Sequence, residues 1–479
     1  MRSGADVYRF GPFELDSARA RLFRGNERVP VSGPQAQILL LLASNSSEVV
    51  SKEALANAAW HDVAVTYNSI DQAISRLRKT LGRQDAGAPY IETVPGRGYR
   101  FVAPVERAER HDANASLDAR LAPFRAFLEG QANLDTLNRE AIVRARRVFE
   151  DVLRLAPHYA PAHVGLANAC SLIFESTRAD AAPVYASLKV AVHHAVKGVE
   201  LEPSWAEAWS TLAFVLCQDG ETGEAAAAAC KAVDLDPEDW RHALRLGYVS
   251  FGEQRLRAAR RVLALCPGLA LAYWLMATVF VARGAFDAAL DVLQKGCAAQ
   301  DAQPKTMGRF HAVGLHLLHA LVLAALGKVD EAIAQLTCEL EYVAGHGQLY
   351  ARECAANSSH ALGALYLRQG RRADAEAAFR QAMKVVPGHA FASAALAIDA
   401  PPRQFAPRDP NAIDAVIAQA IALARGGRHP DAARVCGEGL SQAPRGPAAW
   451  SLPAEPFLNP AARPEIWAQT LAILRDRAA

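Results

Sequence analysis

The stretch SIDQAISRLRKTLG, at residues 69–82, decides the fold of the first part of this chain. Its large apolar side chains recur at spacings of four, three and four residues, which is the period of a helix with one face buried on a core. These residues are Ile70, Ile74, Leu77 and Leu81. Asn68 comes immediately before this stripe and is predicted to be the N-cap of the helix.

The opposite face of this helix carries side chains that suit the major groove of DNA. At about 100° per residue it presents Ser69, Gln72, Arg76 and Lys79, with Arg78 on the flank. Glutamine pairs with adenine and arginine with guanine, whereas lysine, serine and a flanking arginine contact phosphate. An ordinary solvent-exposed helix has the same pattern, so this face alone leaves both interpretations open.

A basic hairpin follows directly, in YIETVPGRGYRFV at residues 90–102. Its two β runs flank Pro95-Gly96-Arg97-Gly98, where glycine supplies the positive φ that a tight turn needs. Arg97 lies at the predicted tip and Arg100 just beyond it. A basic hairpin after a helix of this kind predicts a wing whose arginines enter the minor groove or contact the DNA backbone.

The residues before this helix predict a small sheet and two further helices. The first thirty residues alternate apolar and polar side chains between turn signals, as strands of an antiparallel sheet do. Ser32 with Gln35 forms a capping box that starts one helix, and its apolar run predicts burial. Ser51 starts the next helix, which is predicted to end near Trp60.

The sheet, three helices and wing, over about residues 7–104, resemble the OmpR/PhoB-type winged-helix DNA-binding domain. The resemblance implies a four-stranded N-terminal sheet, and a third helix that enters the major groove. It also implies a contact with RNA polymerase in the loop before that helix. The loop residues concerned are His61, Asp62, Val63 and Thr66. Response regulators with this domain carry a phosphoacceptor domain in front of it, whereas here the winged helix begins at once, so aspartyl phosphorylation is not implied.

From about residue 119 the sequence becomes Ala-rich and repeats itself. The clearest copy, ALGALYLRQGRRADAEAAFRQAMKVVP at 361–387, fits the tetratricopeptide pattern position for position. In five further copies, a proline is preceded by two marked residues, one twelve and one eight positions earlier. These residues are small or aromatic, except that one degraded copy has an arginine at the first of the two positions. Those prolines are Pro157, Pro203, Pro237, Pro267 and Pro444. One such helix pair cannot bury its own apolar face, so the copies are predicted to stack into an array with a concave groove.

These patterns divide the chain into four parts and define its fold class. We expect a winged-helix domain at 1–105, a charged linker at 106–118, a tetratricopeptide-like array at 119–445, and a Pro-rich segment with a capping helix at 446–479. Spacing drifts near 301–310, where the array is predicted to be irregular. The fold class is therefore an α+β winged helix followed by an all-α solenoid.

Charge and composition narrow the class of protein. The chain of 479 residues has a net charge of +2, but residues 1–105 carry 13 Lys/Arg against 10 Asp/Glu, so the positive charge is local, as in a nucleic-acid footprint. No apolar run reaches about 18 residues, and no signal peptide starts the chain, so no membrane span is expected. Eight scattered cysteines without a CxxC pair indicate a reducing cytoplasm.

Motifs for catalysis are missing from the sequence. It contains no GxxxxGK[ST] and no GxSxG. His311, His316 and His319 have no cysteine or carboxylate at ligand spacing beside them, so they are interpreted as helix-packing residues. We expect no enzymatic activity, no cofactor and no metal.

The pairing of a winged helix with tetratricopeptide repeats resembles HilA-like one-component transcriptional regulators. The resemblance implies a cytoplasmic activator whose winged helix binds double-stranded promoter DNA. Its repeats then bind a partner protein or second protomer, or receive a signal. The alternative is a tetratricopeptide scaffold with weak or vestigial DNA binding; the polar face of the third helix favours DNA.

Overall fold

The computed structural model describes residues 6–17, 20–25, 27–60, 67–84, 87–109, 117–180, 182–304, 308–345, 347–397, 412–444 and 446–479. The chain divides into two compact units, Met1–Leu128 and Glu129–Ala479.

The described residues of the first unit form two antiparallel sheets, three complete helices and the start of a fourth. Its strands are β1 Asp6–Phe10, β2 Phe13–Asp16, β3 Arg21–Arg24, β4 Glu27–Val29, β5 Val49–Val50, β6 Ile91–Val94, β7 Gly98–Phe101 and β8 Glu106–Glu109. Its helices are α1 Gly33–Ser44, α2 Lys52–Ala59 and α3 Tyr67–Leu81. One sheet has the order β4-β3-β2-β1-β8, and the other has the order β5-β7-β6.

The N-terminal sheet has five strands, so the expectation of four strands was wrong. The fifth, β8, comes from the residues expected to form the linker at 106–118, and it pairs antiparallel with β1 from Asp6↔Glu109 to Arg9↔Glu106. The next helix, α4, already begins at Leu117. An edge strand is held by backbone hydrogen bonds and tolerates charged side chains, so β8 has no apolar period that the sequence reveals.

Local sequence signals explain the start of α1 and the core beneath it. The Ser32 side chain accepts a hydrogen bond from the Gln35 amide, and the Gln35 side chain accepts one from the Ser32 amide, which confirms the capping box. An aromatic cluster links the sheets, with Phe10 packed edge to face on Phe101 and Tyr90.

The second unit is all helical. Its helices follow α4 (Leu117–Asp135), which contains the division between the units: α5 Arg139–Leu155, α6 Ala160–Thr177, α7 Tyr185–Leu201, α8 Ala206–Gln218, α9 Thr222–Leu235, α10 Trp240–Val249, α11 Gly252–Leu265, α12 Ala270–Ala282, α13 Phe286–Asp301, α14 Leu315–Ala325, α15 Val329–Val343, α16 Ala351–Arg368, α17 Arg372–Val385, α18 Ala390–Leu396, α19 Ile413–Arg425, α20 His429–Gln442 and α21 Pro464–Arg477. Successive helices pack on one another along the unit.

The repeat pattern read from the sequence is confirmed in the helices. Each of the six repeat prolines comes two residues after the end of a helix, namely α5, α7, α9, α11, α17 and α20. The residues twelve and eight positions earlier are all buried: Ala145, Phe149, Ala191, Ala195, Ala225, Ala229, Arg255, Ala259, Ala375, Phe379, Ala432 and Cys436. Small residues at these positions let paired helices approach closely. A Cβ atom added to Gly363 would lie 2.5 Å from the Phe379 ring.

The middle of the array is more regular than expected. The hairpins α12–α13 and α14–α15 continue the stacking between the recognised copies. The predicted irregularity lies between α13 and α14, where Gly308–Phe310 forms a short 3-10 turn and residues 305–307 are outside the described part of the chain.

Among the described residues, one stretch is long and apolar enough, by length and composition alone, to be a candidate membrane span. Over its 18 residues, Gly308–Ala325 has a mean hydropathy of 1.2, and 67% of it is buried within the unit. Only its α14 part, eleven residues long, is α-helical. A membrane-spanning helix needs about 20 residues.

The C-terminal segment, defined here as residues 446–463, does more than cap the last repeat. Trp450 packs edge to face on Trp274 of α12, and Glu455 contacts His360 of α16 at 2.9 Å. Beyond the segment, α21 buries Trp467 and packs on α20. The segment therefore crosses to helices far earlier in the chain and lines one side of a cavity of about 370 Å³.

Candidate nucleic-acid interface

Helix α3 presents two different faces, as its period predicts. Ile70, Ile74, Leu77 and Leu81 are all buried in the core of the first unit. Gln72, Arg76 and Lys79 are exposed on the other side, and Ser69 is partly exposed. The helix is held by α1 and α2, which pack against it. Its polar side chains are therefore carried on a rigid element that is anchored by a full apolar stripe.

The start of α3 differs from the prediction for Asn68. The helix begins at Tyr67, so Asn68 lies in the first helical turn and is not the N-cap. The side chain of Asn68 is outside the described part of the chain. The predicted polymerase-contact residues are outside it as well, namely His61, Asp62, Val63 and Thr66.

Arg78 connects α3 to the wing. Its Nε donates a hydrogen bond to the Ile91 carbonyl oxygen at 2.9 Å, and its Nη2 donates to Thr93 Oγ1 at 2.8 Å. Both acceptors belong to β6. The prediction treated Arg78 only as a phosphate contact, but its guanidinium also fixes the position of the wing relative to the helix.

A second connection joins α3 to α2 and β7 through Asp71. The Tyr99 hydroxyl donates to Asp71 Oδ1 at 2.6 Å, and Lys52 Nζ lies 2.5 Å from the same oxygen. The hydrogen bonds from Lys52 and Tyr99 lower the pKa of Asp71. Burial, together with the hydrogen bond to Asp71, raises the pKa of Tyr99 to about 12. This cluster is not predictable from the sequence, because nothing local shows that residues 52, 71 and 99 meet.

The wing has the predicted hairpin form. Arg97 at its tip is exposed, and its amide donates to the Val94 carbonyl oxygen at 3.0 Å. Gly98 has φ +138°, and a Cβ atom there would lie 2.1 Å from the Val50 carbonyl oxygen. Glycine is therefore required where β7 passes β5.

Arg100 is further from the tip and is already paired. Its Nη1 lies 3.1 Å from Glu92 Oε1 on the neighbouring strand, and the side chain is about one-third exposed. The structure thus brings the exposed residues of α3 together on one face, places Arg97 at the tip of the wing, and gives Arg78 and Arg100 protein partners.

The comparisons with known proteins agree with this geometry. Residues 26–101 match the family described as "Transcriptional regulatory protein, C terminal", and residues 356–389 match "Tetratricopeptide repeat". The chain is 33% identical over 100 residues to the transcriptional activator CadC of Escherichia coli, covering 21% of this chain and 20% of CadC. It is 37% identical over 92 residues to the cholera toxin transcriptional activator of Vibrio cholerae, and the match covers 19% of this chain and 31% of that protein. It is 36% identical over 84 residues to the regulator HilA of Salmonella typhimurium, and the match covers 18% of this chain and 15% of HilA.

Two solved structures are also similar in sequence to part of this chain. The DNA-binding domain of E. coli CadC is 31% identical and covers 22% of this chain and all of that chain, with a TM-score of 0.20. The DNA-binding domain of Klebsiella pneumoniae RstA, solved in complex with the RstA box, is 31% identical. The match covers 20% of this chain and 96% of that chain, with a TM-score of 0.18.

The two family matches confirm the winged-helix domain over residues 26–101 and a tetratricopeptide repeat over residues 356–389. The chain carries an OmpR/PhoB-type winged-helix domain, which belongs to the transcriptional regulatory family, followed by a tetratricopeptide array. The chain spans only 15–31% of the length of the three curated relatives described above.

Proposed function

We propose that this protein is a sequence-specific transcriptional regulator, and an activator, whose winged helix binds promoter DNA. The observation that carries the proposal is the exposed face of α3, with Gln72, Arg76 and Lys79, above a completely buried apolar stripe. The relatives that match this domain are described as transcriptional activators. The proposal assigns the chain no catalytic activity.

The side chains of the interface have separate roles in this proposal. Gln72 and Arg76 contact base edges in the major groove, and Ser69 contacts phosphate, with Asn68 at the start of the helix beside them. Lys79 and the wing arginine Arg97 contact the DNA backbone or the minor groove. Arg78 and Arg100 keep their protein partners and direct their remaining donors to phosphate. The loop with His61, Asp62, Val63 and Thr66 contacts RNA polymerase.

The array has the second role, in the cytoplasm, of binding a partner protein or a second protomer or of receiving a signal. Helices α12, α14 and α16 line a cavity, to which the C-terminal segment also contributes residues. The cavity behind that segment is lined by Trp274, Trp450 and His360, a mixture of aromatic and polar groups found in ligand pockets.

Genome-wide footprinting with the full-length chain tests the proposal. We expect discrete protected sites for the wild type, and loss of those sites in the double variant Gln72→Ala/Arg76→Ala. The control is Lys384→Ala, which removes an exposed lysine of α17 and should leave every site intact. If the double variant protects the same sites as the wild type, α3 does not read the sequence. If the wild type protects no sites, the scaffold interpretation replaces the regulator.

A further inference from the structure

The turn between α9 and α10 gathers three potential metal ligands that recur every third residue. Asp236 is the C-cap of α9, Asp239 is the N-cap of α10, and His242 lies in the first turn of α10. Because the chain reverses here, one carboxylate oxygen of each aspartate and one ring nitrogen of His242 lie within 4.8 Å of one another.

The histidine of this trio is buried and incompletely bonded. His242 is only 3% exposed, and its Nδ1 is buried without a hydrogen-bond partner. A buried polar nitrogen without a partner is destabilising, so such a group usually has a function or an unseen ligand. Neutral imidazole nitrogen is the commonest protein ligand for metals.

One of the two aspartates, Asp239, is held in place by Arg241. The Arg241 amide donates to Asp239 Oδ1 at 2.9 Å, and its guanidinium contacts Asp239 Oδ2 at 3.2 Å. An ionised carboxylate has about four lone-pair positions, so these bonds leave room for a further ligand bond. A cation between the two carboxylates would relieve the repulsion between their like charges.

We propose that Asp236, Asp239 and His242 bind one divalent transition-metal ion through two carboxylate oxygens and one imidazole nitrogen. Mixed oxygen and nitrogen ligands suit ions such as Zn²⁺ better than Mg²⁺, which prefers oxygen alone. Three protein ligands leave at least one position for water, so the ion is exchangeable. The bound ion joins the end of one repeat to the start of the next. The proposed metal site does not depend on the proposed function.

Calorimetric titration of the metal-free full-length protein with Zn²⁺ tests this site. We expect the wild type to bind one equivalent that Asp236→Asn and His242→Gln each lose, or bind at least about tenfold more weakly. Asp234→Asn, a change to an exposed aspartate two residues before Asp236, is the matched control and should keep that equivalent. Mg²⁺ should not replace Zn²⁺.

Zinc bound by other cysteines or histidines adds the same number of equivalents in the wild type and in all three variants. The test therefore rests on the difference in bound equivalents between each variant and the wild type. The proposal is wrong if the wild type binds no Zn²⁺, or if Asp236→Asn binds as many equivalents as the wild type with the same affinity. Asp236 is partly exposed, so this variant keeps the test valid even if His242→Gln fails to fold.

Discussion

Arg76 is the residue of α3 from which we expect the clearest base preference. Its guanidinium suits the two acceptors of a guanine, and the buried stripe of α3 keeps it on the outward face. Arg76→Ala should weaken binding by about 1–3 kcal/mol and relax the preference at one base position. Binding selection on randomised duplexes measures both effects. An equal loss for all sequences would make Arg76 a phosphate contact.

Lys79 on the same face is the matched comparison for Arg76. As a phosphate contact it should contribute to every sequence alike, because it releases counterions on binding. Lys79→Ala should therefore reduce the slope of log affinity against log salt by about 0.9 without altering base preference. An unchanged slope would place Lys79 away from the DNA.

At the scale of elements, the attachment of the wing depends on Gly98 more than on Gly96. Gly98→Ala should strongly destabilise the hairpin, because a Cβ there meets the Val50 carbonyl oxygen in addition to the positive φ. Gly96→Ala, with φ +70° and open space around its Cβ, should cost only the backbone strain of about 1–2 kcal/mol. Hydrogen exchange of the β6 and β7 amides compares the two variants. Equal losses of protection would show that the contact with β5 does not hold the wing.

In the degraded repeat copy, a substitution that restores the repeat pattern is predicted to destabilise the array. Arg255 stands where other copies have alanine, yet it is buried and donates to the carbonyl oxygens of Gly247, Tyr248 and Ser250. Arg255→Ala restores the repeat pattern but leaves these acceptors without their donor. We expect it to destabilise the array by about 2–4 kcal/mol in urea unfolding, whereas Arg257→Ala, at an exposed position, should stay within about 0.5 kcal/mol. A stabilised Arg255→Ala would contradict this account.

At the scale of the whole molecule, the number of winged helices on DNA decides specificity. One α3 presents few base-reading side chains, so one domain cannot supply the affinity of a specific regulator. We expect paired half-sites, with a tandem duplex bound at least about a hundredfold more tightly than a lone half-site through avidity. Titration of the full-length protein on the two duplexes measures this ratio. Equal affinity would mean that one domain acts alone.

Long-range polar contacts within the second unit also set its form. Arg178 at the end of α6 pairs with Glu353 of α16 at 2.9 Å, and Arg352 pairs with Asp180 at 2.7 Å. These partners are more than 170 residues apart in the chain. Together with the C-terminal segment, they connect early and late repeats, so the array does not depend on neighbouring repeats alone.

Features that depend on a few neighbouring residues were determined by the sequence. The stripe of α3, the capping box at Ser32, the glycine turn of the wing and the prolines after the repeat helices all follow from helical period, φ preference or capping chemistry. Each of these signals lies within about a dozen residues, so it does not require knowledge of the rest of the fold.

Only the tertiary structure decided which distant groups meet. It added β8 to the sheet, gave Arg78 and Arg100 their partners in the hairpin, surrounded Arg255 with carbonyl groups and laid the C-terminal segment on α12 and α16. Backbone pairing and buried polar contacts depend on which surfaces the folded chain brings together. A local pattern of residue types does not show which surfaces these are.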